Sequence, residues 1–234
     1  MIQVRKSGER GHADHGWLNS YHTFSFANYY DPKHMGFRSL RVINEDRVAA
    51  GKGFGSHGHR DMEILSYVLK GSLAHRDNMG HQEVLGPNEI QRMSAGTGVI
   101  HSEFNASDRE PVHFLQIWIE PATEGTPSSY EQIRFAPEEK RGKLKLLAGP
   151  HGGDGVAQIN QDAQVFVSEL ASGEHIDYRV GDKRYAWLHV IRGAVTVNGT
   201  ALETGDAAAL SKEAALTVTG TDSETSEIML FDLA

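Results

Sequence analysis

Two short clusters in this sequence carry side chains able to hold a metal ion. The stretch GSHGHRDMEI, residues 55–64, puts His57 and His59 two positions apart ahead of strand-forming residues, and His101-Ser102-Glu103 repeats that spacing with an imidazole and a carboxylate. With 13 histidines in 234 residues, chance alone supplies roughly 0.7 His-x-His pairs and about one His-x-Glu. The pairs therefore carry weight only through their setting. Side chains two apart on a strand share a face, so His57 and His59 can both face inward, as can His101 and Glu103. If the two strand ends are neighbours in a barrel, three nitrogens and one oxygen converge. Such a donor set suits a divalent first-row metal such as iron, with coordination positions left open. Glycines 51, 53, 55 and 58 flank the first pair and Gly96 and Gly98 precede the second, permitting the turns and close backbone approach that a buried site needs. On spacing alone a plainer reading stays open, in which these are polar residues at strand ends.

The remaining histidines invite less. GHADHGW offers His12, Asp14 and His15, but no second element completes a ligand set there, and a structural or solvent-facing role is expected. His22, His75 and the others are scattered singly and are expected to be ordinary polar residues.

The elements that would position the two pairs read mainly as strands. SLRVINEDRVA, EILSYVLKGSLAHR, EVLGPNEIQRMSA and VHFLQIWIEP carry β-branched or aromatic residues in partial alternation between turn-forming residues. AQVFVSELASG, YAWLHVIRGAVTVNGTALETGD, ALTVTG and EIMLFDLA continue the pattern, and Asn198-Gly199 marks a two-residue hairpin. Long amphipathic helices are missing; short helical segments are expected around 129–132 and 137–140. The halves also resemble each other. YVLKGSLAHR (67–76) aligns with HVIRGAVTVN (189–198), and each is followed by a hairpin. Residues 121–150 hold four of the seven prolines and read as a connector. Two copies of one β unit are expected, with domains at 1–135 and 136–234.

Composition narrows the function classes. A net charge of −8 and a pI near 5.9 argue against direct nucleic-acid binding, which needs a basic stripe to neutralise phosphates. In EEKRGKLK (138–145) two glutamates offset half of the positive charge. Cysteine is absent, which excludes disulfides, thiolate metal sites and cysteine nucleophiles. No run approaches the roughly 18 apolar residues of a membrane span, the first residues lack the apolar core of a secretory signal, and a cytoplasmic location is expected.

Longer stretches carry a resemblance. GKGFGSHGHRDMEILSYVLKG is similar to the first cupin motif, and AGTGVIHSEFN to the second, with His101 and Asn105 four apart. Together with RGHADHGWLNSYHTFSFANYYDPKHMGFRSLRVINEDRV they resemble the pirin family across the whole chain, in particular bacterial pirin-like bicupins described as quercetin dioxygenases. The resemblance implies an all-β fold of two cupin (jelly-roll) β-barrels packed in tandem. It implies a metal in the N-terminal barrel, held by three histidines and a glutamate, matched here by His57, His59, His101 and Glu103. Gly96 stands where the general cupin pattern has proline, a replacement that pirins share. Glu63 falls at the general cupin glutamate position, whereas the pirin pattern uses Glu103; Glu63 is expected beside the site or on a strand surface. In the second half, aligning Gly193 with Gly71 sets Arg179 and Gly181 opposite His57 and His59, and aligning Gly205 with Gly86 sets Gly220 near His101. No ligand set survives there, and a degenerate barrel without metal is expected.

The implied activity is metal-dependent dioxygenation of quercetin-type flavonols, with release of carbon monoxide. One divalent cation is expected, Fe(II) first, with Zn, Cu, Ni, Co and Mn as alternatives, and Glu103 doubles as ligand and general base. The implied partners are the flavonol and O2, without nucleic acid or membrane. The alternative is a metal- or redox-sensing regulator that acts through protein partners.

Overall fold

A computed structural model describes residues 1–234. The backbone forms 22 strands and two 3-10 turns, with no α-helix. In chain order the strands are β1 (Ile2–Arg5), β2 (Gly11–Asp14), β3 (Leu18–His22), β4 (Leu40–Val48), β5 (Gly53–His59) and β6 (Glu63–Lys70). Next come β7 (Leu73–Asp77), β8 (Gln82–Leu85), β9 (Glu89–Ser94), β10 (Val99–Asn105), β11 (Val112–Ile119) and β12 (Ser129–Arg134). After β13 (Lys145–Gly149) and β14 (Ala157–Gln158) follow β15 (Ala163–Leu170), β16 (His175–Arg179), β17 (Tyr185–Arg192) and β18 (Ala194–Val197). The last are β19 (Thr200–Glu203), β20 (Ala207–Ser211), β21 (Ala215–Gly220) and β22 (Ser226–Leu233).

Of the two short helices expected, the first is corrected and the second is found. The segment around 129–132 is strand β12, not helix, because its alternating side chains pair antiparallel with β9 from Ser129↔Ser94 to Arg134↔Glu89. Residues 137–139 form a single 3-10 turn that starts at Pro137, where a missing N–H does no harm.

The strands group into two compact units that are not contiguous in sequence. One comprises Gly11–Phe135 with His151–Gln161, the other Met1–Arg10, Ala136–Pro150 and Asp162–Ala234. A single cut at residue 135 would leave two segments with the wrong partner, because β1 pairs with β20.

Each unit has a large and a small antiparallel sheet. In the first the orders are β12-β9-β6-β11-β4-β3-β2 and β5-β10-β7-β8; in the second, β20-β17-β22-β15 and β16-β21-β18-β19 repeat the core of that arrangement. The turn from β6 to β7 passes through Gly71 (φ 80°) and that from β17 to β18 through Gly193 (φ 76°). That left-handed backbone favours glycine, which explains why the shared glycine was the clearest mark of the repeat.

Inside the first unit the large sheet has a layered inner face. Leu18, Val48, Val68, Leu73, Leu85, Val112 and Phe114 form one buried apolar cluster, and Ile64, Met93, Ala95 and Val99 form another. Between them one polar rung crosses five strands: His22 opposite Asn44, Asn44 opposite Gln116, Gln116 opposite Ser66, and Ser66 opposite Gln91. Burying a Val or Leu contributes about 1.5–3 kcal/mol, so a polar rung in this place forgoes stability for another purpose.

Candidate metal centre

The two histidine pairs meet through strand register. β5 and β10 run antiparallel with His57 opposite His101 and His59 opposite Val99. Ring centroids lie 4.8 Å apart for His57–His59, 4.4 Å for His57–His101 and 4.9 Å for His59–His101. Each ring offers a nitrogen within 4.8 Å of the other two. A register shift between His101 and Glu103 sets Glu103 opposite Phe54, which places an extra residue on β5 at the bend. Such bulges re-aim side chains. The Glu103 carboxylate groups with His75 and His101 within the same 4.8 Å limit, so His101 is common to both clusters.

Hydrogen bonding decides which nitrogens are available. His57 Nδ1 donates to the Gly55 carbonyl at 2.7 Å, which leaves Nε2 with its lone pair and fixes the ring's orientation. His101 is 1% exposed, yet neither of its ring nitrogens has a protein partner. His75 is the opposite case. Gln91 Nε2 donates to its Nδ1 at 2.9 Å, and its Nε2 lies 3.1 Å from Asp77 Oδ2. With Nδ1 accepting, Nε2 must carry the hydrogen and donate it, so His75 has no lone pair left for a metal. It braces the site instead, stacked on Tyr130 at 4.8 Å and 5.4 Å from His101. Asp77 is itself held by His81 Nδ1 at 2.9 Å and by the backbone N–H groups of Met79 and His81. The donor set that fits a metal is thus His57, His59 and His101 with Glu103 beside them. An orphaned, buried imidazole is what such a set leaves at its centre.

The electrostatics point the same way. Burial, reinforced by His57, lowers the pKa of His59 to about 4. Burial and then His57 and His59 lower that of His101 to about 3. Both rings are neutral at pH 7, the form that ligates. Burial raises the Glu103 carboxyl to about 7, opposed by hydrogen bonds from Gln116 and Ser66. Gln116 Nε2 donates to Glu103 Oε2 at 2.9 Å, while Ser66 Oγ lies 3.2 Å from Glu103 Oε1 and 2.7 Å from Gln116 Oε1. A hydroxyl has one hydrogen, so Ser66 serves one of these acceptors at a time. The polar rung thus fixes the carboxylate.

The cluster opens on a cavity of about 780 Å³, with His57, His59 and Glu103 in its lining and Trp17, Phe26, Phe54, Tyr29 and Trp118 among its walls. Trp118 meets His59 edge-on at 5.0 Å and Phe26 at 5.4 Å. Aromatic walls with a few placed polar groups suit a flat, largely apolar ligand.

Comparison with known proteins then places the chain. Residues 3–119 match the Pirin family model, and residues 146–233 match the model described as the quercetinase C-terminal cupin domain. The chain belongs to the pirin family. The pirin named quercetin 2,3-dioxygenase in Escherichia coli strain K12 is 48% identical over 233 residues, covering 100% of this chain and 99% of that protein. A putative quercetin 2,3-dioxygenase of Pseudomonas aeruginosa is 40% identical and covers both chains fully. The crystal structure of the bacterial pirin YhhW in complex with nickel(II), from E. coli, superposes with a TM-score of 0.94 at 46% identity, covering 100% of this chain and 99% of that one. The fold is all-β with two cupin domains, and no helix is long and apolar enough to cross a membrane.

In this pirin, Glu63 stands apart from both ligand groups. It is 1% exposed, accepts a hydrogen bond from Ser94 Oγ at 2.6 Å, and burial raises its pKa. Gly96 has φ 44°, which proline cannot adopt, so the missing cupin proline is a backbone requirement.

The C-terminal counterparts are corrected by one to four positions. Val195 opposite Gly220 repeats Leu73 opposite Asn105, so Gly220 matches Asn105 rather than His101. Counting back along the same strands, His101 matches Leu216, which pairs with Tyr178 as His101 pairs with His57. The four N-terminal residues thus correspond to Tyr178, Val180, Leu216 and Val218, all in or against one apolar cluster.

Three histidines expected to be ordinary, His12, His15 and His22, line the cavity. GHADHGW is not an isolated loop but β2 and the turn into β3. The alternation Leu18, Ser20, His22 would have placed His22 on the buried face.

Proposed function

We propose that this pirin is a metal-dependent dioxygenase that opens the heterocyclic ring of quercetin-type flavonols with O2 and releases carbon monoxide. The observation that carries the reading is the orphaned His101 imidazole, flanked by His57 and His59 at one end of an aromatic-walled cavity. His57, His59 and His101 would hold one divalent cation, with Glu103 as the fourth ligand, and Fe(II) is the proposed native ion. When bound, the cation supplies a Lewis acid with open positions for substrate and O2.

The chain's own groups do the rest. Three neutral imidazoles and one carboxylate leave a divalent site at +1, a match for a flavonol that has lost its 3-hydroxyl proton. Glu103, whose proton affinity burial raises to about pH 7, can take that proton at a carboxylate oxygen. Gln116 and Ser66 keep the carboxyl in reach as it changes charge. Trp118, Phe26, Phe54 and Trp17 line the cavity and would exclude water from a bound flavonol, which strengthens each polar contact inside.

The test is metal analysis of protein purified without added metal, paired with oxygen uptake and carbon monoxide release on quercetin. One metal per chain is expected, with turnover above free metal and above metal-free protein. Wild type no faster than those controls, across several reconstituted metals, would sink the dioxygenase reading and leave a regulator.

A further inference from the structure

The same cavity holds a second group of polar side chains, on β3 and β4. Three residues in its lining carry buried polar atoms to which the protein offers no partner: Nδ1 of His22, Oδ1 of Asn44 and Oδ1 of Asp46. The residues are 5%, 2% and 4% exposed. His22 faces Asn44 across β3 and β4, and Asp46 lies two residues along β4 on the same face, opposite Ser20. Facing pairs are about 5 Å apart and alternate residues about 7 Å apart, so the three form a patch the size of one aromatic ring.

A buried polar atom left unmatched costs stability, and most such atoms in folded proteins are matched. Three on one wall of a cavity mark a place where the partner comes from the cavity's contents. The carboxylate and amide oxygens only accept, so that partner must donate. Phe26 meets the His22 ring edge-on at 5.3 Å and Tyr29 lies 6.3 Å from it, which frames the patch for a ring rather than for an alkyl alcohol. Burial, with the Glu103 and Glu45 charges adding to it, lifts the Asp46 carboxyl to about 7 against the opposing hydrogen bond of Ser20.

The patch is also at a useful distance. Asn44 stands opposite Gln116, the residue that holds Glu103, and Asp46 is one step of about 7 Å further along the strand. A ligand with one polar group at the histidines can reach Asp46 with a second ring. We infer that His22, Asn44 and Asp46 form a specificity subsite that takes a phenolic hydroxyl on the ring remote from the histidine cluster, with Asp46 as the principal acceptor. This rests on the reading of the cavity as a flavonol site.

The experiment is equilibrium binding to the metal-loaded protein without oxygen, followed by quenching of the tryptophans that line the cavity, Trp17 and Trp118. The probes are quercetin and two flavonols that keep the 3-hydroxyl and 4-oxo groups, one without the ring-B hydroxyls and one without the ring-A hydroxyls. Wild type should lose about tenfold to hundredfold in affinity for one of the two, which identifies the ring in the patch. Asp46→Ala should erase that discrimination by weakening quercetin to the level of the truncated probe, and Asp46→Asn, which keeps an acceptor oxygen, should retain part of it. If Asp46→Ala fails to fold, the wild-type panel and Asp46→Asn decide. Equal affinity of wild type for all three probes, or discrimination that stays undiminished in an Asp46 variant, overturns the subsite while the flavonol reading stands. Failure of every probe to bind removes both.

Discussion

The two cupin domains of this pirin share a register and differ in what fills it. Asn44, Gln116, Ser66 and Gln91 make the N-terminal rung; Phe166, Leu230, Leu188 and Ala208 make the same rung in the C-terminal domain. On the small sheet, His57, His59, His101 and Glu103 stand where the other domain has Tyr178, Val180, Leu216 and Val218. The C-terminal domain is what this scaffold looks like with an apolar interior. The N-terminal one gives up apolar side chains at eight corresponding positions, six of them aliphatic, and ties part of its polar set together through Gln116, Ser66, Gln91 and Asp77. The difference teaches that the proposed ligand set is not four isolated substitutions. It requires a supporting rung beneath it.

Exchanging residues between the domains tests this, beginning with the largest effect. His101→Leu installs the C-terminal residue at the centre of the site. It should abolish metal retention and flavonol turnover, while the unfolding midpoint of the metal-free protein stays equal or rises, because an unmatched buried imidazole is gone. A metal-free variant much less stable than metal-free wild type would mean that His101 has a structural role. The reverse exchange, Val218→Glu, should destabilise by about 3–5 kcal/mol in denaturant titration, because no Gln116 or Ser66 equivalent waits for the carboxylate. Near-neutral stability would show that the C-terminal interior can solvate a charge and would weaken the contrast between the domains.

Glu103→Ala should loosen metal binding about tenfold to hundredfold or more, with Glu63→Ala changing it little; competition with a chelator measures both. The reverse order would restore the general cupin glutamate as the ligand. A smaller effect concerns the C-terminal unit alone. Asp206 accepts hydrogen bonds from Lys6 Nζ at 2.7 Å and from the N–H groups of Ser7 and Glu203 at 2.8 and 3.1 Å. Burial raises its pKa, but these partners outweigh burial and hold it below the usual aspartate range. A depressed carboxyl stabilises the fold above its unfolded pKa and loses that contribution as pH falls through the folded value. Asp206→Asn should therefore lower stability at neutral pH and flatten its decline below about pH 4. An unchanged acid limb would remove Asp206 from the account.

Much of this was legible in the sequence because period-two patterns report directly on which face a side chain takes. His57-Gly58-His59 and His101-Ser102-Glu103 needed only adjacent strands to converge. The polar rung was not legible in the same way, since Asn44, Ser66, Gln91 and Gln116 lie on four strands and meet only through register. Alignment anchored on glycines drifted in the second half. The connection after β5 spans 60–62 and that after β16 spans 180–184, so matched turns do not imply matched strands. Nor could local pattern show that residues 1–10 belong with a strand two hundred positions away.

That last feature has a consequence for synthesis. β1 pairs with β20, from Ile2↔Leu210 to Arg5↔Ala207, so β1 has no partner until β20 has left the ribosome. At 5–20 residues per second that interval is roughly ten to forty seconds. The domain with the histidine cluster can gather most of its strands in that time with β1 still unpaired. The C-terminal cupin domain therefore finishes folding as a late closure, in which two segments some two hundred residues apart meet.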